Sequence, residues 1–511
     1  MVLLVSCMML HPDARAQKRT FDNIKKMSIR SAGTIEENNQ VSGYYVLYDV
    51  DKAKNGKRTY LLKILDENLD DFKTTTLEEG KYVALTESVF NGEAIMLKFV
   101  DIQKKRMIFM SYDKNADLLM KTEKELTKRE VLLYRMMLSA DTEGSALNII
   151  PERGFVDYGM ADNGKKYTIS YMPSNPKEKG WKKQSANPKG IENAGFLCTS
   201  ENHVYSLVAR RQSLRSTKIE FAVNAYDVEI GFKAFETNLN SEKYSTQPMS
   251  GFFDNKTQLL NVIGIYYEPN TKQVKDNGLG LFNYQINIKG EIVNKKYLSW
   301  AQHFRKYVKV DNKGRIVNEK RNGFIFFHNI IQNTDGTIIA VGEQYKKAAD
   351  AGGIAVAALG GTTSTTKVVI QDMIVFHFTK EFDISGVEIV EKSKSNFSLP
   401  QGYDFMNIHM LSTIVKANGG FDYSFTSKND QDESTSIGYV DYERKKGAKN
   451  EFTFGAITYY DGEFNKDKIP LGRPTGKDWI RVLPGKPGYV MLLEYSKKEK
   501  KLETRLERIN F

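Results

Sequence analysis

An all-β fold, a β-propeller of six to eight blades with seven preferred, is what this sequence predicts. Strand-like periodicity along the chain, a recurring hairpin turn and an aromatic-rich composition carry that prediction. Tandem β-sandwich domains are the alternative.

The composition comes first. The 511 residues include 27 Tyr and 28 Phe, and aromatics make up 11%. Such side chains fit a pleated, half-buried surface better than a helix. Hydrophobic residues at 41% and charged residues at 27% are ordinary for a globular chain. With only 12 Pro and 38 Gly, collagen-like and Pro-rich classes are excluded.

The periodicity is plainest at Leu281–Lys289. Phe282, Tyr284, Ile286 and Ile288 alternate there with Asn283, Gln285, Asn287 and Lys289, which marks a strand with one buried face. Other runs are apolar on both faces: Tyr44–Tyr48, Tyr60–Leu65, Ala94–Val100, Arg106–Tyr112, Asn261–Tyr267, Gly323–His328, Asp372–Phe378 and Gly488–Tyr495. Strands covered on both sides belong to stacked sheets. Helical signal is weak. Lys121–Leu138 reads as one helix, though its second half from Val131 reads equally as a strand.

The turn recurs as an apolar strand end, a polar turn, then Ile, Leu or Phe. It stands at Leu65–Leu69, Tyr112–Leu118, Ile288–Ile292, Val310–Ile316 and Phe378–Ile384. Asp, Asn and Gly in such places suit tight hairpins. Further turns fall at Ala161–Gly164, Asn333–Gly336 and Tyr460–Gly462. Many strands, frequent turns and no βαβ alternation give an all-β class. Radial repetition of small sheets accommodates a chain of this length. No low-complexity or Pro/Ser-rich linker divides it, which counts against tandem sandwiches.

The N-terminus predicts export. Val2–Leu10 is an apolar run, and Ala14-Arg15-Ala16 before Gln17 fits signal-peptidase cleavage after Ala16. That gives a leader over 1–16 and one propeller domain over 17–511. Lipidation at Cys7 is the minor alternative. Removing 1–16 removes Asp13 and Arg15, so the net charge stays at +11. Short, scattered basic runs such as Lys182-Lys183 and Arg444-Lys445-Lys446 do not make a nucleic-acid arm. Cys198 is then the single thiol and reads as a small buried hydrophobe. No later apolar run is long enough to span a bilayer. The expected place is the periplasm or the outer membrane's surface.

Catalytic and cofactor motifs are sought without success. The uncharged segment between Asp350 and Lys367 is rich in Gly, Ala and Thr, yet Gly360-Gly361-Thr362 lacks the Lys of a phosphate loop. No dinucleotide fingerprint and no Gly-x-Ser-x-Gly elbow is present. The six His stand at positions 11, 203, 303, 328, 377 and 409 without zinc spacing. Asp49-Val50-Asp51 fails as a calcium loop at Ala53 and Lys54, and Asp430-Gln431-Asp432-Glu433 reads as a solvated loop. No cofactor, metal or catalytic residue is assigned. Glu87, Asp157, Glu268, Glu343 and Asp422 lie in or beside strands, where a propeller could turn them to its central cavity, but each taken alone reads first as a surface or turn residue.

Two binding features remain. Pro173–Lys183 is a basic loop carrying Trp181 among Lys179, Lys182 and Lys183, a pattern for docking a sugar ring or an acidic partner. The bland reading has Trp181 packing back on its blade. The second feature is the insertion at 350–369 between two strands. Ile354 to Leu359 suits an apolar helical turn stopped by Gly360-Gly361, and Ile354, Val356 and Leu359 are its contact candidates.

Gly43–Tyr48, Leu62–Leu69, Asn91–Phe99 and the apolar insert together resemble an uncharacterised family of exported, propeller-like proteins from Gram-negative bacteria. The resemblance spans nearly the whole mature chain. It implies a propeller fold and an envelope location, and it brings no catalytic residues. The expected function is therefore an exported, non-enzymatic propeller binding an envelope protein or glycan. The alternative is a carbohydrate-active hydrolase or lyase on the same scaffold.

Overall fold

The recurring turn is one backbone geometry used repeatedly. In a computed structural model of the chain, the carbonyls of Asp66, Asp113, Asn287, Asp311 and Thr379 each accept from the backbone N–H three residues on. Each residue's own N–H donates to the carbonyl four residues on. The residue three along is left-handed every time: Leu69 at φ 69°, Ala116 at 60°, Gly290 at 84°, Gly314 at 75° and Phe382 at 61°. The Asp or Asn side chain closes the loop. Asp113 Oδ1 accepts from the N–H groups of Asn115 at 2.9 Å and Asp117 at 2.8 Å. Asp66, Asn287 and Asp311 do likewise. Leu69 and Phe382 accept a backbone costing about 1–2 kcal/mol because their side chains are buried.

The structure describes residues 17–52, 56–140, 147–186, 190–213, 216, 218–269, 271, 278–311, 313–318, 321–359, 364–399, 408–429, 433–443, 451–472 and 479–509. The expected leader over 1–16, Gly360-Gly361, the acidic residues 430–432 and the basic run 444–446 lie outside them.

Eight antiparallel sheets follow one another along the described residues. Blade 1 is Ala32–Glu37, Gln40–Lys52, Lys57–Asp66 and Asp71–Gly80. Blade 2 is Val83–Phe90, Ile95–Asp101, Arg106–Tyr112 and Leu118–Glu125. Blade 3 is Leu147–Ile150, Gly154–Ala161, Lys166–Pro173 and Trp181–Gln184. Blade 4 is Ile191–Thr199, His203–Arg211, Glu220–Asp227 and Lys233–Asn238. Blade 5 is Ser245–Asp254, Leu259–Tyr267, Gly280–Ile286 and Ile292–Ser299. Blade 6 is Asn322–Gln332, Ile338–Ala349, Thr366–Phe378 and Ile384–Val390, with Ile316–Val317 and Ser395–Ser398 added. Blade 7 is Tyr423–Asn429, Ser434–Glu443, Glu451–Tyr460 and Glu463–Gly472.

Blade 8 is composite. Its inner three strands are Trp479–Pro484, Tyr489–Ser496 and Lys501–Arg508. The fourth is Lys18–Phe21 from the other end of the chain, paired antiparallel with Leu502–Arg505. That pairing closes the ring. Leading strands touch between blades 1 and 2, 2 and 3, 4 and 5, 5 and 6, 7 and 8, and 8 and 1, so they line the axis. The eight blades fall within the expected six to eight, one more than the seven preferred. The last blade borrows its outer strand from the N-terminus, so hairpins counted along the chain fall short.

The cores lie between blades. Trp300 and Phe304, with ring centroids 4.4 Å apart, pack with Phe376, Phe378 and Phe382 between blades 5 and 6. The ambiguous stretch at 121–138 divides. Leu118–Glu125 is the outer strand of blade 2, and α1 is Lys128–Ala140. Thr127 and Glu130 form a reciprocal cap between them: Glu130 N–H donates to Thr127 Oγ1 and Thr127 N–H to Glu130 Oε2. The other helices are α2, Ala351–Ala358, and α3, Ile408–Ala417. None is long and apolar enough to cross a membrane.

Candidate functional site

The middle hairpin of blade 6 outgrows its blade. Ile338–Ala349 pairs with Thr366–Phe378, but the inner strand stops at Tyr345 and the outer strand at Met373. The remainder forms an arm. One face of its stem carries Tyr345, Val368 and Ile370, which pack on Leu411 and Val415 of α3 and on Leu399. Ser395–Ser398 adds a strand along Lys367–Ile370. The register puts Lys346 and Lys367 together on the opposite face. The strands run further than the sequence indicated, so the connection is only Asp350–Thr365.

At the tip Asp350 N–H donates to Thr365 O at 2.8 Å, and α2 starts directly after it. Any side chain at Gly353 would overlap the Ser364 carbonyl, so glycine lets the helix return this close to the strand. The helix carries no charge. Ile354 is 47% exposed, Val356 47% and Leu359 89%. The apolar side of the insert is uncovered.

Two buried ionic clusters collect four of the five carboxylates singled out in the sequence. Glu268 is exposed at a strand end. In the first cluster Lys98 Nζ lies 2.7 Å from Asp157 Oδ1 and 3.5 Å from Glu87 Oε1, and all three are buried. Lys124 adds a contact to Asp157 at 3.4 Å. Burial pushes the Lys98 ammonium down, but the two carboxylates outweigh it and hold it well above its usual range.

The second cluster joins blades 6 and 7. Lys392 Nζ pairs with Glu343 Oε1 at 2.9 Å and with Asp422 Oδ2. Glu343 also accepts from Asp422 N–H at 3.1 Å and meets His328 Nε2 at 3.1 Å. Ser395 Oγ donates to Asp422 Oδ2 at 2.8 Å. His328 stacks on Tyr423, centroids 4.5 Å apart. Burial drives the His328 imidazolium down to about 4. Burial pushes Glu343 up, yet Lys392 and His328 hold it low, while burial keeps Asp422 raised despite Lys392. The side chains of His328, Glu343 and Lys392 are fully buried. Asp422 alone reaches a cavity, of about 400 Å³, lined also by Lys416, Phe421, Tyr423 and Arg481. The group is mostly an internal tie between blades, with one carboxyl at a cavity wall.

Trp181 takes the bland reading. Its Nε1 donates to Val228 O at 2.7 Å, and its ring packs between Tyr171 and Tyr226. Lys179, Lys182 and Lys183 are exposed beside it, but the indole face is not offered to a ligand. His377 is a hydrogen-bonded strand histidine, 2.9 Å from Tyr459 Oη. Cys198 is half-buried rather than buried, and desolvation pushes its thiol up, which disfavours the reactive thiolate. No metal-ligand group of three occurs among the described residues.

A model of a family of unknown function, DUF6770, matches residues 1–510. No curated protein matches. Among solved structures, BamB from Moraxella catarrhalis is 8% identical with a TM-score of 0.37, covering 94% of this chain and 99% of that one. Polysaccharide lyase Uly1 is 10% identical with a TM-score of 0.38, covering 94% and 90%. Prolyl oligopeptidase B from Galerina marginata is 9% identical with a TM-score of 0.39, covering 92% and 56%. Likeness this distant carries no argument about activity.

Proposed function

This chain belongs to the DUF6770 family of unknown function, and from that premise we propose that it is an exported, non-catalytic propeller scaffold that holds an envelope protein on the arm of blade 6. One observation carries the reading: an uncharged helix and the turn after it present Ile354, Val356 and Leu359 to solvent at the tip of a braced hairpin. Aliphatic side chains without hydrogen-bonding groups match an apolar cleft in a protein better than a sugar. Lys346 and Lys367 on one stem face complement an acidic rim on that cleft. The test compares wild type with an Ile354→Asp/Leu359→Asp variant in pulldowns from envelope extract. One stoichiometric partner, held by wild type and lost by the variant at unchanged Tm, is the expected result. The same proteins recovered by both, or none by either, would overturn it. Export predicts a mature N-terminus at Gln17, checked by N-terminal sequencing.

The hydrolase or lyase reading keeps one foothold, the raised carboxyl of Asp422 at its cavity. Cleavage of a polysaccharide panel by wild type but not by Asp422→Asn would replace the scaffold reading.

A further inference from the structure

A second pocket, of about 550 Å³, opens between blades 3 and 4, within the size range of small-molecule sites. At its floor Tyr167 and Tyr226 share a hydrogen bond of 2.9 Å between their hydroxyls. Asn224 Nδ2 donates to both, at 3.1 and 3.4 Å. Asn224 Oδ1 takes no hydrogen bond from any described residue, and neither does Ser185 Oγ. Both residues are more than nine-tenths buried, and both line this pocket. Turning the Asn224 amide over only exchanges the orphan, because one edge then lacks an acceptor instead. A buried polar group without a partner costs about 1–3 kcal/mol. Two of them beside one pocket point to a partner that arrives from outside.

The mouth supplies an apolar platform. Phe232 is 64% exposed and also lines the pocket. Its turn is rigidly built. Asp227 Oδ1 accepts from the N–H groups of Glu229 at 2.9 Å and Ile230 at 3.0 Å, and Trp181 holds Val228 O. Gly231, left-handed at φ 65°, lies against the Trp181 ring where a Cβ would collide. The indole, packed inward, thus sets the position of the phenyl ring that lines the pocket.

The rim decides the charge of the occupant. Arg210 bridges Glu192 and Glu236 at 2.6 Å each, and Lys233 pairs with Glu236 at 2.9 Å. Arg210 and Lys233 are paired with Glu192 and Glu236, and Lys183, the remaining cation of the lining, is exposed and solvated, so a phosphate or a uronate meets no more than one screened excess positive charge. The paired groups still offer donors and acceptors to hydroxyl groups. A ligand with an apolar C–H face for Phe232, hydroxyls that both give and accept, and no charge is a sugar ring. We propose that the pocket between blades 3 and 4 binds a neutral saccharide unit, with Ser185 and Asn224 meeting its hydroxyls and Phe232 its ring face.

The site goes beyond the arm reading and stands or falls without it. Saturation-transfer NMR with neutral trisaccharides of glucose, galactose, mannose and N-acetylglucosamine tests it, with trigalacturonate as the charged comparison. At least one neutral sugar is expected to bind wild type. Phe232→Ala and Ser185→Ala should each weaken it about three- to tenfold at unchanged Tm, and Ile354→Asp on the arm should leave it unchanged. Failure of every neutral sugar, equal binding by both pocket variants, or preference for trigalacturonate would overturn the assignment. Loss of the arm's partner with sugar binding intact would count against the arm alone.

Discussion

Lys392→Met isolates what the buried cluster contributes to holding blades 6 and 7 together. The substitution keeps most of the side-chain volume and removes one charge from the midst of two carboxylates. Glu343 retains His328 and the Asp422 and Tyr423 N–H groups. Asp422 retains Ser395 among its described partners. Breaking a buried pair from one side costs about 3–5 kcal/mol, because the remaining charge is left uncompensated. Neutralising all members together should recover much of that. Glu343→Gln/Lys392→Met/Asp422→Asn is therefore expected to be more stable than Lys392→Met alone.

The pH dependence sharpens the test. Without Lys392 the Asp422 carboxyl, already raised by burial, rises further above its ordinary 3.8, and Glu343 loses a cation that holds it below its ordinary 4.5 and moves up as well. The folded variant then binds protons that the unfolded chain does not. Its stability rises as pH falls through the raised values, so its deficit against wild type shrinks on acidification. Urea unfolding at about pH 8 and about pH 5, followed by tryptophan fluorescence, reads both effects. A deficit under about 1 kcal/mol at the higher pH, a deficit that does not shrink at the lower, or a triple variant as weak as the single one would refute the reasoning.

His328 should make the fold acid-sensitive in the opposite sense. Its ordinary value of 6.5 is driven by burial to about 4, so its contribution is complete above about pH 6.5 and fades towards pH 4, by about 3 kcal/mol. The His328→Gln variant should flatten that limb of a stability–pH profile, and an unchanged limb would assign the sensitivity elsewhere. Replacing residues 351–364 of the arm tip with a two-residue turn should move Tm by no more than about 2 °C, since Ile354 and Val356 leave about half of their surface exposed and Leu359 most of it. Loss of cooperative unfolding in calorimetry would show that the tip is core.

The turns were legible because each carries its mechanism within five residues: an Asp, Asn or Thr at the start and a residue that accepts a left-handed backbone three positions on. Blade closure was not, because Lys18–Phe21 finds its partner 480 or more residues away. Export and envelope location remain proposals that rest on the leader motif. The sites divide along the same line. Trp181 stood out by composition, yet its neighbours Tyr171, Tyr226 and Val228 come from three strands or turns, and they decide that it packs inward. Ser185, Asn224 and Phe232 carry no motif at all, since the pocket exists only where blades 3 and 4 meet. The carboxylates Glu87, Asp157, Glu343 and Asp422 were visible as strand residues, but their pairing was hidden. One signal could have exposed half of it. Ile95–Asp101 is buried throughout, and Lys98 sits in its middle. A lysine in a strand apolar on both faces cannot reach water, so it demands carboxylates from its own and the next blade. That rule leads from Lys98 to Glu87, directly across the hairpin, and to Asp157 in blade 3. It fails for Lys392, which follows the strand Ile384–Val390 in a polar run and looks solvated until Glu343 of blade 6 and Asp422 at the start of blade 7 close on it.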